Sequence, residues 1–312
     1  MRRFAPPYLG AAYYPEAWPA EQVDEDIRLM LDAGMNVMRI AEFAWSCIEP
    51  EEGRFELDWL KRVVEKLGDA GIATIMCTPS CTPPAWLTEK YAEVLVVDAT
   101  GKAAQHGARR HVCPNNPIYR ELCGRVARKL AEVFGQDERV IGWQIDNEVY
   151  LWEDWGCYCA FCTERFHEKL RQKFGTIEKL NAVWGTNLWS QTYQSFSQIP
   201  APRPGFCHHP SLLTAWMQFQ NESVVDYVSH QAAVLHEQVC QPVGTDMMPF
   251  LGVSYEQMHR NLDIVQYNHY DTMDTLWRQV FWIDYVRPFK DVPFWNTETS
   301  TCWNGGTTSN GY

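Results

Sequence analysis

Seven short apolar segments alternating with amphipathic helical stretches constrain this chain more than any single residue does. The segments are Tyr8 to Tyr14, Asn36 to Ala41, Ile72 to Thr78, Val140 to Glu148, Val243 to Met247, Asp263 to Tyr267 and Val292 to Glu298. Between them apolar residues recur at helical spacing. Val23, Ile27, Met30 and Leu31 form one stripe within Pro19 to Ala33; Trp59, Leu60, Val63, Val64 and Leu67 form another within Leu57 to Asp69. Gly34 and Gly71 stop these two helices. Asn116-Pro117 starts a third, an N-cap followed by proline at the first position, which carries Ile118, Leu122, Val126 and Leu130 up to Gly135. Shorter helices are expected at Tyr255 to Leu262 and Leu276 to Val286. Strands alternating with helices spell a parallel sheet, and right-handed crossovers curl such units into a (β/α)8 barrel, the TIM-barrel fold. The sequence holds no candidate for strand eight. Residues 1–312 are therefore read as one barrel domain, incomplete at the C-terminal end and continued in a longer protein.

Two stretches interrupt the alternation. Pro79 to Cys113 has no helical period long enough for a crossover, and its polar run Q-H-G-A-R-R-H reads as a loop over the site. The largest insertion lies between Glu148 and Pro242: a cysteine-rich loop, a helix to about Phe174, a tryptophan-rich piece and a long helix from about Leu212 to Val239.

Composition narrows the function. A net charge of −12 without a long basic run argues against nucleic acid and anionic polymers as ligands. There is no apolar tract of the ~20 residues that a membrane helix needs. The opening M-R-R-F-A-P-P-Y is positively charged but lacks an apolar stretch behind it, so a secretory signal is not expected. Eleven cysteines, an odd number, rule out a complete disulfide framework and fit a reducing cytoplasm with a metal site. Fourteen tryptophans exceed what packing needs and supply candidate platforms for sugar stacking.

The strand ends carry the chemistry. Val140 to Glu148 reads V-I-G-W-Q-I-D-N-E, and its alternation is expected to send Gln144, Asp146 and Glu148 to one face. Val292 to Glu298, V-P-F-W-N-T-E, again ends in glutamate. Active sites of barrels of this class lie at the C-terminal ends of the strands. Two glutamates converging there are what retaining glycoside hydrolysis requires: one acid/base and one nucleophile, about 5 Å apart. The acid must keep its proton near neutral pH while the nucleophile stays ionised.

Several separate pieces, in order, resemble glycoside hydrolase family 42, the β-galactosidases. They are Y-Y-P-E-A-W-P near the start, M-R-I-A-E-F-A-W at strand two, R-R-H-V-C-P-N-N-P before the third helix, Q-I-D-N-E at strand four, C-x-C-x-x-C after it, and T-E at strand seven. The resemblance implies a retaining, exo-acting β-galactosidase with Glu148 as acid/base and Glu298 as nucleophile. It implies that Asn147 binds the sugar 2-hydroxyl, that Arg39 and Arg109 are sugar-site arginines, and that Tyr270 lies near the nucleophile. It also implies a galactoside substrate and a homo-oligomer, commonly a trimer. One departure concerns the tryptophan that the family carries eight positions after the nucleophile. This chain has Gly306 there, and Trp303 is the nearest substitute for the aromatic contact.

Cys157, Cys159 and Cys162 form the C-x-C-x-x-C, and Cys113 lies 44 residues before Cys157. Four thiolates satisfy a tetrahedral structural zinc that keeps no open position, and no organic cofactor is expected. The alternative for these four is scattered buried thiols, the expectation for Cys47, Cys77, Cys81, Cys123, Cys207, Cys240 and Cys302. His208 and His209 are read as polar loop residues. Competing functions are a glycosidase acting on α-L-arabinopyranosides or β-fucosides, a catalytically silent carbohydrate-binding barrel, and a zinc hydrolase. The last lacks an open His/Asp/Glu site.

Overall fold

The structure, a computed structural model, describes residues 6–149, 156–248, 252–270, 275–292 and 294–300. Its strands are β1 (Gly10–Ala12), β2 (Val37–Ile40), β3 (Ala73–Cys77), β4 (Val140–Gln144), β5 (Val243–Gly244), β6 (Val265–Tyr270) and β7 (Phe294–Ser300). Strands β1 to β5 pair in sequence order and in parallel, as do β6 and β7. Backbone bonds from Asp263 N to Val243 O (2.8 Å) and from Asn268 N to Met247 O (3.0 Å) tie the β6 side to β5. β7 lies next to β1, which curls the sheet round. This is a (β/α)8 barrel with seven strands among the described residues. Most strands are shorter than their apolar runs, because pairing stops where the chain turns into the loops. β6 and β7 are the exceptions and run on to Tyr270 and Ser300.

The crossover helices form where the apolar period placed them: α1 (Gln22–Asp32), α3 (Asp58–Asp69), α5 (Pro117–Phe134), α8 (Pro210–His236), α9 (Tyr255–His259) and α10 (Leu276–Val286). The Asn116 side chain accepts from Ile118 N at 2.9 Å and from Tyr119 N at 3.2 Å, so the N-cap read from Asn-Pro is real. A short α2 (Trp45–Ile48) follows β2. The stretch Pro79 to Cys113, which has no period long enough for a crossover, contains α4 (Ala85–Lys90), a six-residue helix.

Two cores result. Between strands and outer helices, Trp45, Trp143 and Phe134 are fully buried with the aliphatic stripes of α1, α3 and α5. Truncating one such tryptophan to alanine would cost about 3–5 kcal/mol. Inside the ring, Val37, Ala73 and Ile75 meet Ile141 and Trp295. Gly142 is required at this point: a Cβ there would lie 2.5 Å from the Trp295 ring. The second core belongs to the insertion between β4 and β5. There α6 (Ala160–Phe174), α7 (Ile177–Trp184) and the start of α8 enclose Phe166, Leu180, Trp216 and Phe219 around the four cysteines. No described helix is long and apolar enough to cross a membrane.

Candidate active site

The alternation expected along β4 stops at Gln144. Asp146 and Glu148 both adopt left-handed backbone, at φ 56° and 50°, so neither continues the pleat. Such conformations cost about 1–3 kcal/mol each and persist only where the surroundings hold them. The surroundings of Asp146 are explicit. Its Oδ2 accepts from Ser80 Oγ (2.8 Å) and Tyr227 Oη (2.7 Å), and its Oδ1 accepts from Arg110 Nη2 (3.2 Å) and from Asn147 N (2.7 Å). Asp146 is thus a buried brace under the turn. The reading that placed it on one face with Glu148 is corrected. The brace turns Asn147 and Glu148 towards the strand ends.

Both Glu148 oxygens are engaged. Asn268 Nδ2 donates to Oε1 at 2.7 Å and Arg109 Nη1 reaches Oε2 at 3.1 Å. Arg109 comes from the long polar loop and is 41% exposed, with its guanidinium 5.9 Å from the centroid of Phe43. With its amide nitrogen turned to Glu298 Oε1 at 3.2 Å, Asn147 accepts from Arg109 Nη1 at 3.3 Å. The opposite amide orientation accepts from Gln144 Nε2 at 3.2 Å. The first orientation is preferred, since it gives the carboxylate a donor instead of a second oxygen.

Glu298, near the end of β7, is gripped from two sides. Arg39 Nη2 binds its Oε1 at 2.5 Å, and the Tyr270 hydroxyl donates to its Oε2. Burial pushes the Glu298 carboxyl up, but the charge of Arg39 and the Tyr270 hydrogen bond outweigh it and leave the group below its ordinary value. Arg39 itself is only 3% exposed and serves two further carboxylates: Glu42 at 2.5 Å and Asp246 at 2.9 Å. Tyr14 Oη donates to Glu42 at 2.6 Å, and its ring stacks on Phe43 with centroids 5.5 Å apart.

The structure therefore brings Arg39, Arg109, Asn147, Glu148, Tyr270 and Glu298 into one cluster at the strand ends. Trp303 lies outside the described residues. Sequence reasoning missed Glu42, Asp246 and Asn268. Glu42 sits inside the quoted M-R-I-A-E-F-A-W, and Asn268 pairs across the ladder with Glu298. Asp246 is two residues past the end of β5, the same strand-end signal that marked the glutamates.

The four predicted metal ligands also meet. The sulfurs of Cys113, Cys157, Cys159 and Cys162 lie within 4.8 Å of one another, and all four residues are buried. Two separations, 3.4 Å for Cys113 to Cys162 and 3.6 Å for Cys113 to Cys159, approach the ~3.8 Å that four sulfurs keep around a tetrahedral metal at ~2.3 Å. Nitrogen donors face the cluster from outside: Asn115 Nδ2 to Cys162 (3.2 Å), Asn115 N to Cys113 (3.4 Å) and Val97 N to Cys157 (3.5 Å). Sulfurs so crowded and so met by N–H donors fit a thiolate-bound metal. Of the other cysteines, Cys77, Cys81 and Cys123 are buried as expected, but Cys47, Cys207 and Cys240 are exposed. Cys207 and Cys240 flank α8 in its connecting loops, where no core reaches them, and Cys302 lies outside the described residues. His209 proves to be the N-cap of α8, accepting from Ser211 N at 3.1 Å.

Comparison with known proteins agrees with this site. Residues 12–310 match the family model of glycoside hydrolase family 42, described as Beta-galactosidase. β-Galactosidase YesZ of Bacillus subtilis is 37% identical over 309 residues, 98% of this chain and 46% of its own length. β-Galactosidase Bga of Halorubrum lacusprofundi is 41% identical over 231 residues, covering 73% of this chain and 33% of its own. Among solved structures, the cold-adapted β-galactosidase of Rahnella sp. R3 superposes with a TM-score of 0.90 at 31% identity, covering 97% of this chain and 46% of its own. The chain thus spans less than half the length of these relatives. The matched model, the shared fold and the strand-end carboxylates together show that this chain belongs to glycoside hydrolase family 42.

Proposed function

We propose that this chain is the catalytic barrel of a retaining, exo-acting β-galactosidase with Glu298 as nucleophile and Glu148 as acid/base. The observation that carries the proposal is the asymmetric environment of the two carboxylates. Glu298 is ionised by Arg39 and Tyr270, whereas Glu148 is held by a neutral amide, Asn268, and by the part-exposed Arg109. In the first step Glu298 attacks the anomeric carbon as the bond to the departing oxygen breaks, and Glu148 gives that oxygen its proton. In the second, Glu148 takes a proton from water, water attacks the anomeric carbon, and the ester to Glu298 breaks. Asn147, which bridges Glu298 and Arg109, donates to the sugar 2-hydroxyl, a bond that strengthens as positive charge grows on the ring. Arg39 serves the sugar through Glu298, from beneath it, and Arg109 meets the sugar at the mouth; Trp303 remains the candidate for the aromatic contact.

Cys113, Cys157, Cys159 and Cys162 would hold a structural zinc, which supplies folding free energy and no chemistry. Its site anchors the loop that follows Glu148, and reduced thiols are consistent with a cytoplasmic enzyme. The substrate is a terminal β-D-galactoside, and the assembly is a homo-oligomer, a trimer on the family pattern. The test is the anomer first released from a nitrophenyl β-galactoside by the full-length protein. Retention is expected; an inverted product would remove the nucleophile from the account.

A further inference from the structure

Three carboxyl groups share one guanidinium at the floor of the site. Arg39 contacts Glu42, Asp246 and Glu298, whose side chains are 0%, 0% and 16% exposed. If all three were ionised, the buried cluster would carry two uncompensated negative charges in a medium that solvates them poorly. A proton must reside on one of them.

The donors around each group show where it resides. Glu42 accepts at Oε1 from Tyr14 Oη (2.6 Å) and Arg39 Nη2 (3.0 Å), and its Oε2 faces Arg39 Nε (2.5 Å), so an ionised group fits there. Glu298 has Arg39 on one oxygen and Tyr270 on the other. Asp246 receives Arg39 Nη1 on Oδ2 alone, while its Oδ1 is buried with no donor among the described residues. Asp246 also lies within hydrogen-bonding reach of Glu298. Two carboxyl groups hydrogen-bond to each other only when one carries a proton, and Glu298 is the one held ionised.

We infer that Asp246 is a neutral carboxylic acid that donates its proton to a hydrogen bond with Glu298, as a positioning residue for the nucleophile. The inference rests on the assignment of Glu298 as nucleophile for its catalytic meaning, though not for the location of the proton. Arg39, Tyr270 and Asp246 then hold the Glu298 carboxylate from three directions and fix which lone pair faces the sugar. The titratable groups that act on Asp246 are Arg39 from β2, Cys77 from β3, Glu148 past β4, Tyr255 from α9, Tyr270 from β6 and Glu298 from β7. Burial and the Glu298 charge both push the Asp246 carboxyl up, and Arg39 opposes them.

The full-length protein at pH 7 tests this by infrared spectroscopy and kinetics. A protonated-carboxyl band should shift on labelling with [4-13C]aspartate and disappear in Asp246→Asn. Asp246→Asn keeps a donor, so kcat should stay within about threefold and the acid limb of kcat/KM should not move. Asp246→Leu, of similar size without a donor, should lower kcat about 100-fold with little change in KM. The absence of an aspartate-dependent band in the wild-type protein would overturn the inference, whether or not the variants fold. So would an acid limb in Asp246→Asn displaced downwards by about one unit, the mark of a removed negative charge. An affinity label landing on a residue other than Glu298 would strike the nucleophile assignment alone and leave the band where it is.

Discussion

The carboxylate cluster at the strand ends and the thiol cluster in the β4–β5 insertion are both buried polar groups, but they are built to opposite ends. The carboxylates outnumber their cations. Arg39 is shared among Glu42, Asp246 and Glu298, and the turn that presents Glu148 carries two left-handed residues. Such an arrangement stores unfavourable energy and keeps a nucleophile reactive. The thiols form a compact buried group, met from outside by backbone and amide N–H groups and packed against Phe166 and Trp216. A metal held there would stabilise the fold and leave no position for substrate. Buried polar residues thus divide by whether their charges balance within the protein or await a ligand.

Substitutions should separate the two regions. The largest effect is expected for Glu298→Gln, a loss of about 10⁴-fold or more in kcat with the fold intact, checked by steady-state kinetics and circular dichroism. Glu148→Ala should lower hydrolysis of substrates with poor leaving groups by about 10²–10⁴-fold and spare glycosylation from activated ones. Added azide should then restore turnover of activated substrates as a galactosyl azide. Equal losses for both substrate types, without rescue, would make Glu148 a binding group.

Cys159→Ser should act on the other region. Metal analysis should fall from one zinc per chain, and Tm should drop by about 5 °C or more, while kcat of the remaining folded protein changes little. Immediate loss of activity on chelation with an unchanged fold would place the metal in the chemistry and erase the distinction drawn here.

Much of this contrast was legible in the sequence, for physical reasons. Seven apolar runs and their intervening stripes fixed the barrel, because burial imposes a period on each element. The strand-end glutamates and the C-x-C-x-x-C were local patterns. Glu42 and Asp246 carried a strand-end signal, but the contacts of Glu42 with Tyr14, of Asp246 with Arg39 and of Asn268 with Glu148 were not legible, since they arise only when separate strands converge. The alternation at Asp146 failed because the contacts that hold its backbone come from Ser80, Arg110 and Tyr227, all distant in sequence. The short α4 escaped because six residues are too few to establish a period.

The smallest expected effect concerns acid stability, which belongs to neither cluster. Burial lowers His259 from 6.5 to about 4, with its Nδ1 at 2.8 Å from Tyr255 O. Between about pH 6.5 and about 4 the unfolded chain therefore binds a proton that the native state refuses, so stability falls as pH falls through that window. Glu298, lowered in the native state, carries the same sign but acts below the ordinary glutamate value of about 4.3. Asp246, raised, carries the opposite sign. His259→Gln should flatten the decline above about pH 4.5 without moving the acid limb of kcat/KM, as read by denaturant titrations across pH. An unchanged slope would mean that another group governs acid stability.

As proposed, Glu298 is the ionised nucleophile, held by Arg39, Tyr270 and Asp246. Trapping with a slow-leaving 2-fluoro-β-galactoside, followed by peptide mass spectrometry of the full-length protein, tests it directly. A covalent 2-fluorogalactosyl ester is expected on Glu298, and no ester in Glu298→Gln. An ester on Glu148, Asp246 or Glu42, or turnover with retention that leaves Glu298 unlabelled, would contradict it.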